Sequence, residues 1–282
     1  MSSPWTIEGL SWVTRTFPSL PGRWRLVRWL ERHEAQVATI PPRIVRFTGR
    51  FRMCVDPEDE NGRRYFINGY MPKERLTRHF ARLLRPGDGA LDIGANVGYY
   101  TLAAARLVGP TGCVHAFEAS PIIFARLRRN AKLNPHANIH VHFAAVADQP
   151  GEVTFHTASA ERTGYSSMRD LGAEVAAITT VPTLTIDSLL EEIRPVRLVK
   201  IDVEGAELHV LRGMQGLIER DRPYVITEID DAFLREMGGD ARQQCEFFTE
   251  RGYKLHRIVK RGELEPVIEP PTQRCNLLAE PG

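Results

Sequence analysis

The chain has 282 residues, 43% of them hydrophobic and 26% charged, with 22 glycines, 19 prolines and a formal net charge of +2 at neutral pH. That profile excludes a disordered chain, a collagen-like repeat and a coiled coil, and it supplies a core for one large domain or two small ones. No apolar run approaches the ~20 residues of a membrane-spanning helix, and Met1 to Leu20 lack the basic start and apolar stretch of a secretory signal, so a soluble, cytoplasmic protein is expected.

Charge and tryptophan are unevenly placed. Residues 1–50 carry eight arginines against three acids, a balance of +5 that leaves −3 for the rest, and they hold all four tryptophans. The expected organisation is a helical or irregular N-terminal arm over residues 1–49 and a body over residues 50–282. In the arm, Trp24, Val27 and Leu30 approximate an apolar stripe and Arg25, Arg28 and Arg32 a basic one, on a helix between Pro21-Gly22 and Pro41-Pro42. Such an arm suits a cap on the body or on a second copy in a homo-oligomer, a lid over an acceptor pocket, or a contact with a membrane surface.

In the body, Leu76, Phe80, Leu83 and Leu84 recur at helical spacing up to Pro86-Gly87. Ala90-Leu91-Asp92-Ile93 reads as a short buried strand that runs into Gly94-Ala95-Asn96-Val97-Gly98. A helix follows from Tyr99 to about Leu107, closed by Gly109-Pro110, and then a strand over Gly112 to Phe117. Ser120 caps and Pro121 opens a helix to about Asn134, ahead of a strand over Ile139 to Phe143. This alternation implies βαβ units and a parallel sheet. The pattern then loosens: a strand over Glu152 to Thr157, a polar loop over Glu161 to Arg169, and a helix over Thr185 to Ile193. Strands over Arg197 to Val203 and Pro223 to Ile229, with helices over Ala206 to Met214 and Ala241 to Glu250, restore it. Tyr253 to Val259 and Cys275 to Ala279 read as a closing pair of strands.

Three motifs carry chemistry. Asp92 to Gly98 sits between a strand and a helix, where glycines let a ligand approach the backbone, but it reads GxNxG and not the GxGxxG of a dinucleotide site. Asp92 can accept from a cationic amine, which fits an amino-acid moiety better than a pyrophosphate. Glu118 ends the second strand, where a carboxylate can accept both ribose hydroxyls. Lys200 to Glu207 places Asp202 and Glu204 at the carboxyl end of a core strand, on one side if the strand persists that far, while Glu207 suits a helix N-terminus.

The runs LDIGANVGYYTL, FEASP and VKIDVEGAELHVLRGM, in this order, resemble the FkbM-type family of S-adenosylmethionine-dependent methyltransferases over about residues 50–280. TLTIDSLL and the Ser166-Ser167 loop resemble it too. The resemblance implies an α/β fold, the class I methyltransferase (Rossmann-like) sheet of seven strands with helices on both faces and the last strand antiparallel. It implies S-adenosyl-L-methionine as cofactor and O-methylation of a hydroxyl on a small molecule, sugar or natural-product intermediate. Carried over by position, Asp92, Gly94, Asn96 and Gly98 would bind the methionine part and Glu118 the ribose, and Ala145-Val146 with Asp148 would lie near the adenine. Tyr99 and Asp202 count among the cofactor-binding residues as well.

An alcohol nucleophile needs a general base, for which Asp202 or Glu204 is the first candidate and Glu228 the third; a carboxyl acceptor would need none. No metal is expected, although Asp202, Glu228, Asp230 and Asp231 could converge as oxygen ligands. A nucleic-acid methyltransferase would use the basic arm, but the body's negative balance speaks against a broad track. A nicotinamide oxidoreductase would want a glycine where Asn96 stands, and a non-catalytic cofactor-binding module would not need the carboxylates. Cys54, Cys113, Cys245 and Cys275 form no metal spacing and read as reduced thiols; His140 and His142 share a strand face and read as satisfied strand histidines.

Overall fold

A computed structural model of the chain describes residues 4–17, 19–69, 76–158, 166–169, 172, 175–259 and 262–282, which fall into two compact units. The first holds the described residues up to 69. Its elements are α1 (Pro4–Thr16), α2 (Arg23–Arg32), α3 (Glu34–Ala38), the hairpin strands β1 (Arg43–Arg46) and β2 (Arg52–Val55), and α4 (Glu60–Asn68). Asp59 starts α4 by accepting from the Gly62 amide at 2.8 Å. The helices are joined by polar anchors as well as by the buried Ile7, Leu30, Val37 and Phe66. Thr14 Oγ1 donates to the Ile67 carbonyl at 2.6 Å, and the Arg15 guanidinium lies over the Phe66 ring at 4.3 Å.

The division expected at residue 49 falls inside this unit, between two strands that pair with each other. The expected stripe on α2 is also only partly apolar in place. Val27 and Leu30 are buried, but Trp24 is 57% exposed, with Arg25 and Arg28 over its ring at 5.4 and 5.1 Å.

The second unit holds the described residues from 76 on. In chain order they form α5 (Leu76–Leu83), β3 (Gly89–Ile93), α6 (Tyr99–Val108), β4 (Cys113–Glu118), α7 (Pro121–Lys132), β5 (Ile139–Phe143), β6 (Ala145–Val146), β7 (Gly151–Ala158) and β8 (Val175–Leu184). A 3₁₀ turn over Ile186–Leu189 precedes β9 (Val196–Ile201), α8 (Glu207–Arg212), α9 (Gln215–Asp221), β10 (Tyr224–Ile229), α10 (Asp231–Glu236), α11 (Ala241–Thr249), β11 (Tyr253–Ile258), β12 (Leu264–Pro266) and β13 (Cys275–Pro281).

The main sheet has eight strands in the order β12-β11-β13-β10-β9-β3-β4-β5. Strands β10, β9, β3, β4 and β5 run parallel, and β13 enters antiparallel between β10 and β11. The strand beyond the expected seven is β12, three residues that extend the β11 edge. The strands β3 and β4 are buried along their whole length, as parallel strands covered on both faces must be. Helix α7 starts as its sequence dictates, with Ser120 accepting from the Ile123 amide and Pro121 at the first turn.

Between Ala145 and Leu184 the chain builds a separate small sheet, β6-β8-β7. The expected strand over Glu152 to Thr157 is β7; its ten-residue partner β8 was not expected. The helix expected over Thr185 to Ile193 is only the 3₁₀ turn. Asp187 is committed elsewhere: its carboxylate accepts the Gly216 and Leu217 amides at 2.9 and 3.0 Å and so caps α9. Of the predicted polar loop, Glu161 to Tyr165 lie outside the described residues.

Candidate functional site

Register decides which residues meet. Ile93 pairs with both Phe117 and Ile201, and Ile201 pairs with Thr227. The next residues along these parallel strands, Gly94, Glu118, Asp202 and Glu228, therefore emerge level with one another at the carboxyl edge, where open α/β sheets bind ligands.

Gly94 turns the chain with φ +73°, and a Cβ there would stand 1.9 Å from the Asp202 carbonyl oxygen. Only glycine lets β3 and β9 close at this point. Asn96 (φ +50°) continues the turn and fixes it by accepting the Val97 amide on Oδ1 at 2.7 Å. The Glu118 carboxylate reaches back to hold the same turn, accepting the Asn96 amide at 2.9 Å and the Ser120 amide at 2.8 Å. Burial raises its pKa to about 7, against the pull of those two amides.

Asp92 and Lys200 are paired across β3 and β9, so their side chains share a face. Both are buried. Thr101 donates to Asp92 Oδ2 at 2.6 Å, and Lys200 Nζ lies 3.4 Å from Asp92 Oδ1, 3.5 Å from Asp202 Oδ2 and 2.9 Å from the Gly94 carbonyl, to which it donates. Burial pulls the lysine's pKa down, but Asp202 and Asp92 outweigh it and hold it above its usual value. Asp92 is thus an interior anchor already met by Lys200.

The strand β9 ends at Ile201, two residues earlier than expected, and Glu204 takes a left-handed φ of +53°. Period-two alternation therefore does not bring Asp202 and Glu204 together; the turn through Glu204 does. One oxygen each of Asp202, Glu204 and Glu228 lie within 4.8 Å of one another. Arg274, from the segment ahead of β13, ties two of them, with Nη2 at 3.1 Å from Glu204 and 2.6 Å from Glu228. Burial, joined by the Asp202 charge, pushes Glu204 up to about 7 and Glu228 up to about 8 in spite of Arg274. The Glu204 carbonyl accepts from Ser167 Oγ and from Arg169 Nε, both at 3.0 Å. Glu207 accepts the Val203 and Gly205 amides, as its place at the start of α8 led us to expect.

Asp230 and Asp231 do not join this cluster. Asp230 caps α10, and Asp231 accepts the Ala241 amide at 2.9 Å. Ala145 is buried beside Ala119, next to Glu118, and Val146 lies in the main core. Asp148 faces His209 of α8, with Oδ2 3.4 Å from its Nδ1. Gly98 caps α6, which Tyr99 opens. Sequence reasoning gave no role to Lys200, Thr101, Arg169 or Arg274. Lys200 could have been found, since it stands two residues before Asp202 inside the otherwise apolar run from Leu198 to Ile201; Arg274 lies in a segment without periodicity.

The order β5-β4-β3-β9-β10-β13-β11, with β13 alone reversed among these seven, defines a class I methyltransferase fold. Residues 92–255, more than half of the chain, match the methyltransferase FkbM domain. The chain belongs to the FkbM methyltransferase family, whose cofactor is S-adenosylmethionine. It is 34% identical over 220 residues to the 31-O-demethyl-FK506 methyltransferase FkbM of Streptomyces tacrolimicus, across 63% of this chain and 82% of that protein. It is 30% identical over 140 residues to the hexuronic acid methyltransferase AglP of Haloferax volcanii, across 49% of this chain and 54% of that one. A crystal structure of methyltransferase FkbM from Methylobacillus flagellatus KT superposes with a TM-score of 0.45 at 15% identity, over 76% of this chain and 52% of that chain. The chain thus spans about half the length of the last two.

Proposed function

We propose that this protein transfers a methyl group from S-adenosylmethionine to a hydroxyl oxygen of a small molecule, sugar or natural-product intermediate. The observation that carries the reading is the level edge of Gly94, Glu118, Asp202 and Glu228 on adjacent parallel strands. The names of the Streptomyces and Haloferax relatives favour a natural-product alcohol or a sugar as acceptor.

The residues suit the cofactor. Each Glu118 oxygen accepts one amide, which leaves a lone pair on each for a ribose diol. A cationic sulfonium favours the ionised forms of Glu204 and Glu228, whose pKa values lie near neutrality, so this acid-rich edge suits such a ligand. When bound, S-adenosylmethionine supplies an electrophilic methyl group on that sulfonium.

In this reading Lys200 and Asp202 frame the methionine end, and Glu204 is the general base. A carboxylate whose pKa lies near neutrality is ionised in part and can take the hydroxyl proton as the oxygen attacks the methyl carbon in line. Arg274 keeps Glu204 oriented and offsets the charge of Glu228 beside it. Asp202 and the ionised fraction of Glu204 would repel an anionic carboxylate acceptor, which favours the hydroxyl over the carboxyl alternative.

The test measures conversion of S-adenosylmethionine to S-adenosylhomocysteine with a panel of sugars and macrolide-type alcohols. Glu204→Gln should keep the rise in melting temperature that the cofactor gives, and lose about 100-fold in turnover. Glu118→Gln should do the reverse, weakening cofactor binding by about 1.5–3 kcal/mol. No thermal shift with the cofactor would end the methyltransferase reading; undiminished turnover in Glu204→Gln would end the base assignment.

A further inference from the structure

Strands β4 and β5 are parallel, with His115 opposite His140 and Phe117 opposite His142. Side chains alternate along a strand, so Cys113, His115 and Phe117 share one face, and their partners His140 and His142 share it with them. The other face carries Ala116 and Val141, which pack with Leu127 and Phe124 of α7. Two pairs of residues 25 positions apart in sequence are thereby gathered on one patch of sheet.

The Sγ of Cys113, one ring nitrogen of His115 and one of His140 all lie within 4.8 Å of one another. The cysteine is a free thiol. His142 stands behind this group, with Nε2 3.1 Å from His115 Nδ1. His140 Nε2 meets Asn138 Oδ1 at 2.9 Å, and Asn138 is itself held by donating to the Gly112 carbonyl at 3.0 Å. Both histidines of the trio thus have an outer partner that orients the ring, the arrangement that supports a metal-bound imidazole.

We propose that Cys113, His115 and His140 form a binding site for a thiophilic divalent transition ion, zinc above all, on the sheet face away from α7. One thiolate and two imidazoles suit zinc or cobalt and do not suit magnesium or calcium. Tetrahedral bonds of about 2.3 Å to sulfur and 2.0–2.1 Å to nitrogen require donors roughly 3.5 Å apart, which separations within 4.8 Å reach by a contraction of at most about 1.3 Å. His115 and His140 are stacked, centroids 4.8 Å apart and planes 12° from parallel, so their in-plane lone pairs run side by side. His140 is exposed on the edge strand, so a small tilt of its ring about the Asn138 contact brings the lone pairs together. On binding, the Cys113 thiol gives its proton to solvent and the thiolate binds the ion; water completes four-coordination, and nothing is oxidised or reduced. The bound ion would cross-link β4 to the edge strand β5.

The experiment titrates the full chain, with reduced thiols, with Co²⁺ and then Zn²⁺. One equivalent of Co²⁺ should give a thiolate-to-cobalt charge-transfer band and the intense visible bands of a tetrahedral ion, and Zn²⁺ should abolish both and raise the melting temperature. Cys113→Ser should remove the charge-transfer band. His140→Ala, at an exposed position, should weaken binding by about tenfold or more. Cys54→Ser, in the other unit, should leave the spectrum intact. The absence of a charge-transfer band, its survival in Cys113→Ser, or equal affinity in His140→Ala would each overturn the proposal. Should Cys113→Ser fail to fold, the His140→Ala affinity decides alone.

Discussion

Lys200 faces two carboxylates, Asp92 across on β3 and Asp202 just past the end of its own strand, and the lysine itself is buried from bulk water. Removing the lysine strands those charges, and breaking a buried pair from one side costs about 3–5 kcal/mol. Lys200→Met should therefore destabilise by roughly that amount in urea unfolding. Adding Asp92→Asn should return part of the loss, because the uncompensated charge goes with it. Equal, additive losses would show that the pair is not coupled. The sequence revealed Asp92 and Glu118 because each ends a short apolar strand just before a turn rich in glycine or capped by serine. It named Lys200 inside a motif without a role, since an interior lysine is recognised by its partners, and the buried one, Asp92, sits on another strand.

The turn after β3 is where one methyl group decides the geometry. Gly94→Ala would set a Cβ against the Asp202 carbonyl and hold an alanine at positive φ, so β3 and β9 must part at the cofactor edge. We expect a loss of more than about 2 kcal/mol in chemical denaturation, together with loss of the cofactor's thermal shift. Strands with continuous apolar runs and helices with an evident cap were readable: β3, β4, α6 and α7 lie within a residue or two of their expected bounds. β8 escaped notice because it belongs to a half-open ribbon, where only Val181 is fully buried and the threonine-rich alternation is weak. The 3₁₀ turn is shorter than the expected helix because Asp187 reads as a residue of that helix when it serves as a cap of α9.

Four buried glutamates give the molecule a pH signature. Burial holds Glu118, Glu204 and Glu207 at about 7 and Glu228 at about 8 in the folded chain, while the unfolded chain ionises all four near 4.5. Between these values the folded state binds more protons than the unfolded one, so stability falls as pH rises. Burial also keeps His79, His115 and His142 below their ordinary value, which acts in the opposite sense below about pH 6.5. From about pH 6.5 to 8 the four glutamates outweigh the fading contribution of the histidines, and the melting temperature should decline across that interval. A flat or rising profile there would contradict their burial. The unit boundary was the least legible property of the chain. Arginine and tryptophan density marked residues 1–50, but the hairpin that closes the first unit takes its second strand from beyond that point.

Strand β13 follows every other strand of the sheet in the chain, yet its place is between β10 and β11. On the ribosome, β10 therefore emerges with an open hydrogen-bonding edge, flanked by Val225, Ile226 and Ile229, and the β11-β12 pair cannot join the sheet until residues 275–281 have left the exit tunnel. The same late segment brings Arg274, so the acids at the end of β9 and β10 acquire their counter-charge in the same event that seals the sheet. A nascent chain stalled just short of β13 is a sheet with a sticky edge and an uncompensated acidic cleft, which makes it a natural client for chaperones and proteases.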